Sequence, residues 1–402
     1  MTDLTDLGIE PTGGDPIGAV VQEAAADGQL LFLPPGEYRI EDGIDLSGLE
    51  RFGIIGDGAT IIPMDDASGA LFYIGGEGAV HIQNLQFDFR GADTGVRALD
   101  IRAPDDLVIR DVSVSGELEG GRGPVRVDVT DSDGSGIVER LRLPDGSAAD
   151  EPITGCYVGD DNRGEITFKD CHIVGFGDNG LYADPAVGRI IVDGGYYANN
   201  GIANVRVRAD CVVRNVHVRC DDASSEFENM RGIRLTNFEA DPDSEPPIVE
   251  NCLVEMLGVP SSDGGITVSS EIPSATIRNT EIRIDADNVN GIWAKMPADE
   301  LTESASNLWV DCQGVTVTGS ADNGFAVKID GRGGCTLEGI EVTQAASNRN
   351  GIGFQRSHDN VLRDATVDVG GIPILLQNAS VETIDTNVEE REIHSTTEDE
   401  DE

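Results

Sequence analysis

The chain has 402 residues, 39% of them hydrophobic and only 5% aromatic, with 50 glycines, and sets 74 Asp and Glu against 28 Lys and Arg for a net charge of -46. Anionic surplus on that scale argues against nucleic acid or anionic lipid as a general partner, and with no stretch approaching membrane-spanning length no membrane insertion is expected. It keeps a protein hydrated in concentrated salt and self-repelling in dilute buffer. Lysine is confined to Lys169, Lys295 and Lys328, and the composition reads as that of a halophile, haloarchaeal or from a haloarchaeal virus. The apolar periodicity is sustained, which excludes a disordered acidic chain.

After a lead of residues 1–14, Asp15-Pro16 predicts a short helix, as N-cap and first-turn proline, closed by Gly28. Ile17, Val20, Val21, Ala24 and Ala25 give it one apolar face, suited to lid the open end of a stack of strands. The segments LLFLPPGEYRI and FGIIGDGATII complete an N-terminal cap over residues 15–63. From 64 to 384 a two-part phrase recurs. Its first half is apolar-x-Asn/Asp-apolar: IQNL at Asn84, IRDV at Asp111, FKDC at Asp170, VRNV at Asn215, VENC at Asn251, IRNT at Asn279 and LRDA at Asp364. Its second half is Gly-apolar-x-apolar: GVRA at Gly95, GLYA at Gly180, GIRL at Gly232, GITV at Gly265, GIWA at Gly291, GFAV at Gly324 and GIGF at Gly351. Weaker copies stand at Arg140, Asp193, Asp311, Gly339 and Thr383. The mean period is about 27 residues, one turn of a solenoid. From about Asp385 to Glu402 the alternation stops, and this segment reads as a disordered acidic tail.

Period-2 runs bounded by Gly, Asn and Asp indicate strands, and helical repeats and leucine-rich repeats lack their frames here. The expected architecture is all-β and single-domain: a parallel β-helix of about 12 coils, with Asn at tight bends bonding backbone groups along the stack. In GFAVKI, alternation points Phe325, Val327 and Ile329 inward and Ala326 and Lys328 outward. Cys171, Cys252 and Cys312 follow bend residues and are expected at equivalent buried positions. The seven cysteines carry no zinc spacing and read as free buried thiols.

The helix, the LPPGEY and GIIGDGATI phrases and the coils after them, over nearly all of residues 10 to 384, resemble the pectin-lyase-like superfamily of right-handed parallel β-helices. That resemblance implies the fold. It leaves function open among lyases, hydrolases, epimerases, viral tailspikes and non-enzymatic surface proteins. The catalytic phrases of polygalacturonase-like hydrolases are missing apart from Asp221-Asp222, and those of calcium-dependent pectate lyases are absent.

The outward positions of the Gly-type strands nevertheless collect scarce positive charge and aromatic rings: Arg97, Tyr182, Arg206, Arg208, Arg234, Trp293, Lys295, Lys328 and Gln355, with Arg231 beside them. Guanidinium forks, ammoniums and a ring platform suit an acidic polysaccharide or surface glycan. On the opposite face, the residues before each bend alternate in sign, as in Arg110, Glu139 and Lys169, and can satisfy one another. Asp178, Asp221, Asp222 and Asp263 are the carboxylates that glycosidase chemistry would draw on. Asp131 and Asp133 have the oxygen spacing of a weak calcium loop; no other cofactor is indicated. The start lacks the marks of a signal peptide. The expectation is therefore a glycan-binding attachment or structural protein, associated with a particle or cytoplasmic in a high-salt organism, with a homotrimer or particle as its assembly. The alternative is a lyase or glycoside hydrolase with an unfamiliar site.

Overall fold

The bend residues of the phrase take left-handed backbone, with φ of 55° at Asn84, 54° at Asp111, 51° at Asp170, 58° at Asn215, 54° at Asn251, 49° at Asn279 and 48° at Asp364. Asn and Asp tolerate that region better than other residues with a Cβ, so their recurrence marks one corner per coil. In the weaker copies the corner falls on Arg140, Gly194, Gly314, Gly339 and Asp385, displacing the expected Asp193, Asp311 and Thr383. The corner side chains do not form the internal ladder expected of them: Asn84, Asn251 and Asn279 are exposed. Buried asparagines at other turns bind the backbone between coils. Asn162 Oδ1 accepts from Val129 N at 2.9 Å, and Asn290 accepts from Phe325 N at 3.0 Å while donating to Asp263 O at 2.9 Å.

The computed structural model describes residues 1–65, 67–90, 95–237, 239, 241–304, 308–388 and 393–396. Among these, strands sort into two parallel sheets of 27 and 14 strands, here called sheets A and B. The fold is an all-β parallel solenoid of about 14 turns. That exceeds the expected 12 because the segment before residue 64 already forms coils.

The coils gather into two compact units, residues 1–200 and 201–402. In the first, sheet A places Leu107–Arg110 between Ala79–Asp88 and Ser135–Glu139, and sheet B places Val125–Val129 between Arg97–Ala103 and Cys156–Val158. In the second, Ala275–Arg278 lies between Ile248–Glu250 and Val310–Gln313, and Asn290–Ala294 between Gly264–Val268 and Phe325–Asp330. Each coil contributes Val, Ile and Leu to a narrow core: Ile109, Val127, Ile277, Ile292 and Val327 are all 0% exposed. In Phe325–Asp330, Val327 and Ile329 are buried and Lys328 faces out. The alternation fails at the strand's start, where Ala326 is buried and the half-exposed Phe325 ring covers Gly353.

The first helix runs Gly18–Ala24, later than Asp15 predicts. Thr12–Pro16 is instead a strand, with Pro16 in register with Arg39, and Ile17 takes the N-cap without a side-chain bond. Ile17 and Val21 are buried as the amphipathic pattern requires. Within the segment read as a tail, Ile393–Thr396 pairs with Ile374–Gln377 in sheet B; residues 389–392 and 397–402 lie outside the described residues.

All seven cysteines are free and buried. Cys171 and Cys252 follow corners, whereas Cys312 precedes the corner at Gly314 and is in register with Ile277, so it is not equivalent to them. The alternating row on sheet A pairs as its signs demand, with Arg110 Nε 2.7 Å from Glu139, Lys169 Nζ 3.8 Å from Glu139, and Arg278 Nη2 2.6 Å from Glu250. Register continues the row from Lys169 to Asp193 and from Arg278 to Gln313. Among the described residues no helix is long and apolar enough to cross a membrane.

Candidate functional site

In residues 201–402 the strands of sheet B bring Arg206, Arg234, Thr267, Trp293 and Lys328 into one lateral row, each in register with the next. Neighbouring members are one strand spacing apart, about 4.8 Å at the backbone. Thr267 is 0% exposed although it faces outward, so its neighbours cover it. Among the described residues neither its hydroxyl nor the Trp293 indole N–H has a hydrogen-bond partner. The Trp293 ring is flanked by two ammoniums, Lys328 Nζ at 4.5 Å from its centroid and Lys295 Nζ at 4.9 Å. Lys295 also donates to Asp263 Oδ2 at 2.7 Å, and the same oxygen receives Arg231 Nε at 2.8 Å. Burial pushes the Asp263 carboxyl up, but the Lys295 hydrogen bond and the charges of Arg231 and Lys295 outweigh it and hold the group below the ordinary range. Lys328 makes no ion pair among the described residues.

Behind this row lie two arginines that the sequence gives no reason to bury. Arg332 is 0% exposed and donates to the carbonyls of Lys295 at 2.9 Å, Ile272 at 2.9 Å, Pro273 at 2.9 Å and Ser269 at 3.1 Å. Arg349 is also 0% exposed and donates to the carbonyls of Val289, Asn323 and Phe325. Burial lowers each guanidinium to about 10. Both work as clamps between coils, and Arg332 fixes the backbone of Lys295 itself.

In residues 1–200 the corresponding face of sheet B is built otherwise. Its register row is Tyr73, Asp100, Arg126, Tyr157 and Tyr182. Arg97 is not on it. The strand Arg97–Ala103 pairs Leu99 with Phe72 and Val125, which moves Arg97 three residues away from the row. There it is 8% exposed and bonded to Gly123 O and Asp100. Six side chains then form a continuous relay of alternating sign. Arg97 meets Asp100 at 2.7 Å, Asp100 meets Arg102 at 3.4 Å, and Arg102 meets Asp161 at 2.9 Å. Asp161 meets Arg126 at 3.0 Å, and Arg126 meets Asp128 at 2.8 Å. Tyr73 and Tyr157 lie under Arg102 and Arg126, with ring-to-guanidinium distances of 5.5 and 5.7 Å. Tyr157 and Tyr182 meet edge to face at 5.4 Å.

The inner end of the relay is Asp128, 0% exposed, whose Oδ1 has no hydrogen-bond partner among the described residues. Burial raises its carboxyl above the ordinary range despite the Arg126 hydrogen bond. Gly159 leaves room for the Arg126 guanidinium, since a Cβ there would stand 2.3 Å from Nη2. The sequence carried a signal for this cluster in the alternating charges of Asp100-Ile-Arg102 and Arg126-Val-Asp128. Pro124 interrupts the repeated phrase at that point and concealed it.

The remaining expected residues separate. Arg208 follows the strand Ala203–Val207, and Gln355 is in register with Asp330 and Gln377, two residues along from the Lys328 row. Asp178 accepts from Thr154 and from Asn179 Nδ2 at 2.8 Å. Asp221 follows a sheet A strand and accepts from Arg219 at 2.7 Å, with the exposed Asp222 next to it. Asp221 and Asp263 thus answer to different cations, Arg219 for the first and Arg231 with Lys295 for the second. Asp131 and Asp133 belong to one tight turn, Asp131 Oδ1 accepting from Asp133 N at 3.1 Å. Among the described residues no three His, Cys, Asp or Glu side chains converge as a metal site.

No family model matches the chain. Rhamnogalacturonase A of Emericella nidulans is 28% identical over an alignment of 125 residues that covers 28% of this chain and a quarter, 25%, of that protein. Among solved structures, the A-module of a mannuronan C-5 epimerase from Azotobacter vinelandii aligns with a TM-score of 0.53 at 14% identity, covering 99% of this chain and 100% of its own. A Streptococcus pneumoniae surface adhesin aligns at a TM-score of 0.48 and 11% identity over 99% of this chain and 100% of its own. At that identity the epimerase likeness shows a shared parallel β-helix fold and nothing further.

Proposed function

We propose that this chain binds an acidic polysaccharide along the sheet B row of residues 201–402, as the non-enzymatic glycan-binding part of an attachment or structural assembly. The observation that carries the reading is Trp293 between the ammoniums of Lys295 and Lys328. A ring face holds a cation without cancelling its charge, so the ammonium stays available to an anion. Of the three cations Arg231, Lys295 and Lys328, the first two share the carboxylate Asp263 and the third rests on the Trp293 ring. In a chain of net charge -46, a local surplus of cations is a departure that general solvation does not require. At 1 M salt the Debye length is about 3 Å. Only groups already held at contact distance then retain electrostatic selectivity, which these are. The partial likeness to a rhamnogalacturonase favours a uronate-bearing polymer as the ligand class.

The test is calorimetric titration of oligogalacturonate into the protein in multimolar KCl. Trp293→Ala combined with Lys328→Met is expected to weaken binding at least tenfold, with no new reducing ends or unsaturated uronates on long incubation. Unchanged affinity, or the appearance of either product, would overturn the reading. Sizing in the same salt tests the homotrimer that an attachment role favours.

One observation favours a second reading, polysaccharide cleavage. Asp128 keeps its proton to higher pH than an ordinary carboxyl and sits beside Arg126, with Tyr157 near enough to feel its charge, the kind of environment from which a proton donor is drawn. Loss of any product formation in Asp128→Asn, with oligogalacturonate binding intact, is the outcome that would favour it.

A further inference from the structure

Sheet A of residues 1–200 carries a groove on the face that the alternating charges made look inert. It is open, about 480 Å³ in volume, and crosses four successive coils at their left-handed corners. Asp57, Asn84, Asp111 and Arg140 stand along one wall. Gln86, Ser113 and Arg142 stand along the other, with Val112 among the lining residues. Gln86, Ser113 and Arg142 are in register, and the same row continues through His172 and Tyr196, whose rings lie 5.2 Å apart at 31°. Burial and the nearby Arg142 lower the His172 imidazole below its ordinary range, so it is neutral at pH 7.

The chemistry of these walls differs from that of the Trp293 row. Arg140 is held by Asp111 through two bonds, at 2.6 and 2.8 Å, and by Glu139. Arg142 and Asp57 make no ion pair among the described residues, and each is exposed. The lining charges cancel, two aspartates against two arginines. What remains is a line of amide, hydroxyl, carboxylate and guanidinium groups repeating at the strand spacing of about 4.8 Å, with the tilted His172–Tyr196 ring pair on the strands that follow Arg142 in the same row. The equivalent row in residues 201–402 runs His217, Leu253, Glu281, Thr316, Glu341 and Thr366. It has neither a guanidinium nor a ring pair.

We propose that this groove is a second binding site, for an uncharged linear oligosaccharide. Its hydroxyls would be met by Arg142, Asp57, Gln86 and Ser113, and one sugar face by the His172–Tyr196 pair. Paired donors and acceptors with no net charge match vicinal hydroxyls, which both give and accept hydrogen bonds. A carboxylated chain would instead face Asp57 and Asp111.

The site is tested by titrating cellohexaose, maltohexaose and mannohexaose into the full chain in multimolar KCl, with oligogalacturonate as the charged comparison. At least one neutral hexasaccharide is expected to bind. Arg142→Ala should weaken it at least fivefold and Ser113→Tyr, which fills the groove, should abolish it, while Trp293→Ala leaves it unchanged. Thermal melting of each variant confirms that the fold is retained. No binding of any neutral hexasaccharide would overturn the proposal, as would affinity indifferent to both groove variants. So would a groove that responds only to oligogalacturonate. The oligogalacturonate response of Trp293→Ala reads the sheet B row separately, so the two sites can fail independently.

Discussion

Sheet B presents the same strand geometry in residues 1–200 and in residues 201–402, yet the two faces handle charge in opposite ways. In the first, Arg97, Arg102 and Arg126 are threaded through Asp100, Asp161 and Asp128 until every guanidinium has a carboxylate. In the second, Lys328 rests on an indole and Lys295 shares Asp263 with Arg231. A closed network spends its electrostatics on itself and yields rigidity. A ring-held cation keeps its attraction for something outside. A count of basic residues does not separate these cases, because both faces are rich in them.

The largest effect expected from breaking this contrast lies behind the second face. Arg332→Ala leaves four buried carbonyls without their donor, and each unsatisfied buried acceptor costs roughly 1–3 kcal/mol. Relaxation recovers part of that sum, so a loss of ~3–5 kcal/mol in urea unfolding is expected. Because one of those carbonyls belongs to Lys295, oligogalacturonate affinity should fall as well. A loss below about 1 kcal/mol would show that the clamp is dispensable.

Next in size is Gly159→Ala on the first face. The new methyl would stand 2.3 Å from Arg126 Nη2, forcing the guanidinium off both Asp128 and Asp161. Breaking the inner pair strands a buried carboxylate, and overpacking adds strain, so ~1–3 kcal/mol is expected. Oligogalacturonate binding should not change. If it does, the two faces are not the separate devices their side chains indicate.

These clusters show where the sequence was legible. The solenoid was, because a left-handed corner needs Asn, Asp or Gly and a buried strand needs alternation, and both leave local marks. The Arg234, Trp293 and Lys328 row was legible for the same reason, since the Gly-type phrase there is in true register. At Gly95 it is not. The strand runs seven residues, Arg97–Ala103, and hydrogen bonding to its neighbours selects Asp100, which no spacing within the phrase reveals. The buried arginines were illegible for a different reason. Arg332 and Arg349 sit in polar, glycine-rich segments that read as exposed turns. Their burial arises from carbonyls up to about 60 residues earlier, contributed by other coils.

The smallest effect is a difference in sign under acid, and it is the most direct test of the contrast. Asp263 has a folded pKa below its unfolded value near 3.9. Its contribution is therefore complete above that pH and is lost as pH falls through the lower folded value. Asp128 is the reverse: its folded pKa lies above the unfolded value. Between the two the folded chain keeps a proton that the unfolded chain has released, so stability falls as pH rises through that window and recovers on acidification. With 74 acidic residues, acid unfolding of the whole chain will mask either group, so each must be read against its own amide variant. The stability of the wild type relative to Asp128→Asn should rise as pH falls toward 4. The stability of the wild type relative to Asp263→Asn should hold to about 4 and then decline. Two curves of the same sign would mean that Asp128 is compensated by Arg126 as fully as Asp263 is by Lys295 and Arg231. The first face would then be an ordinary set of ion pairs, with no reserve of protonation for chemistry.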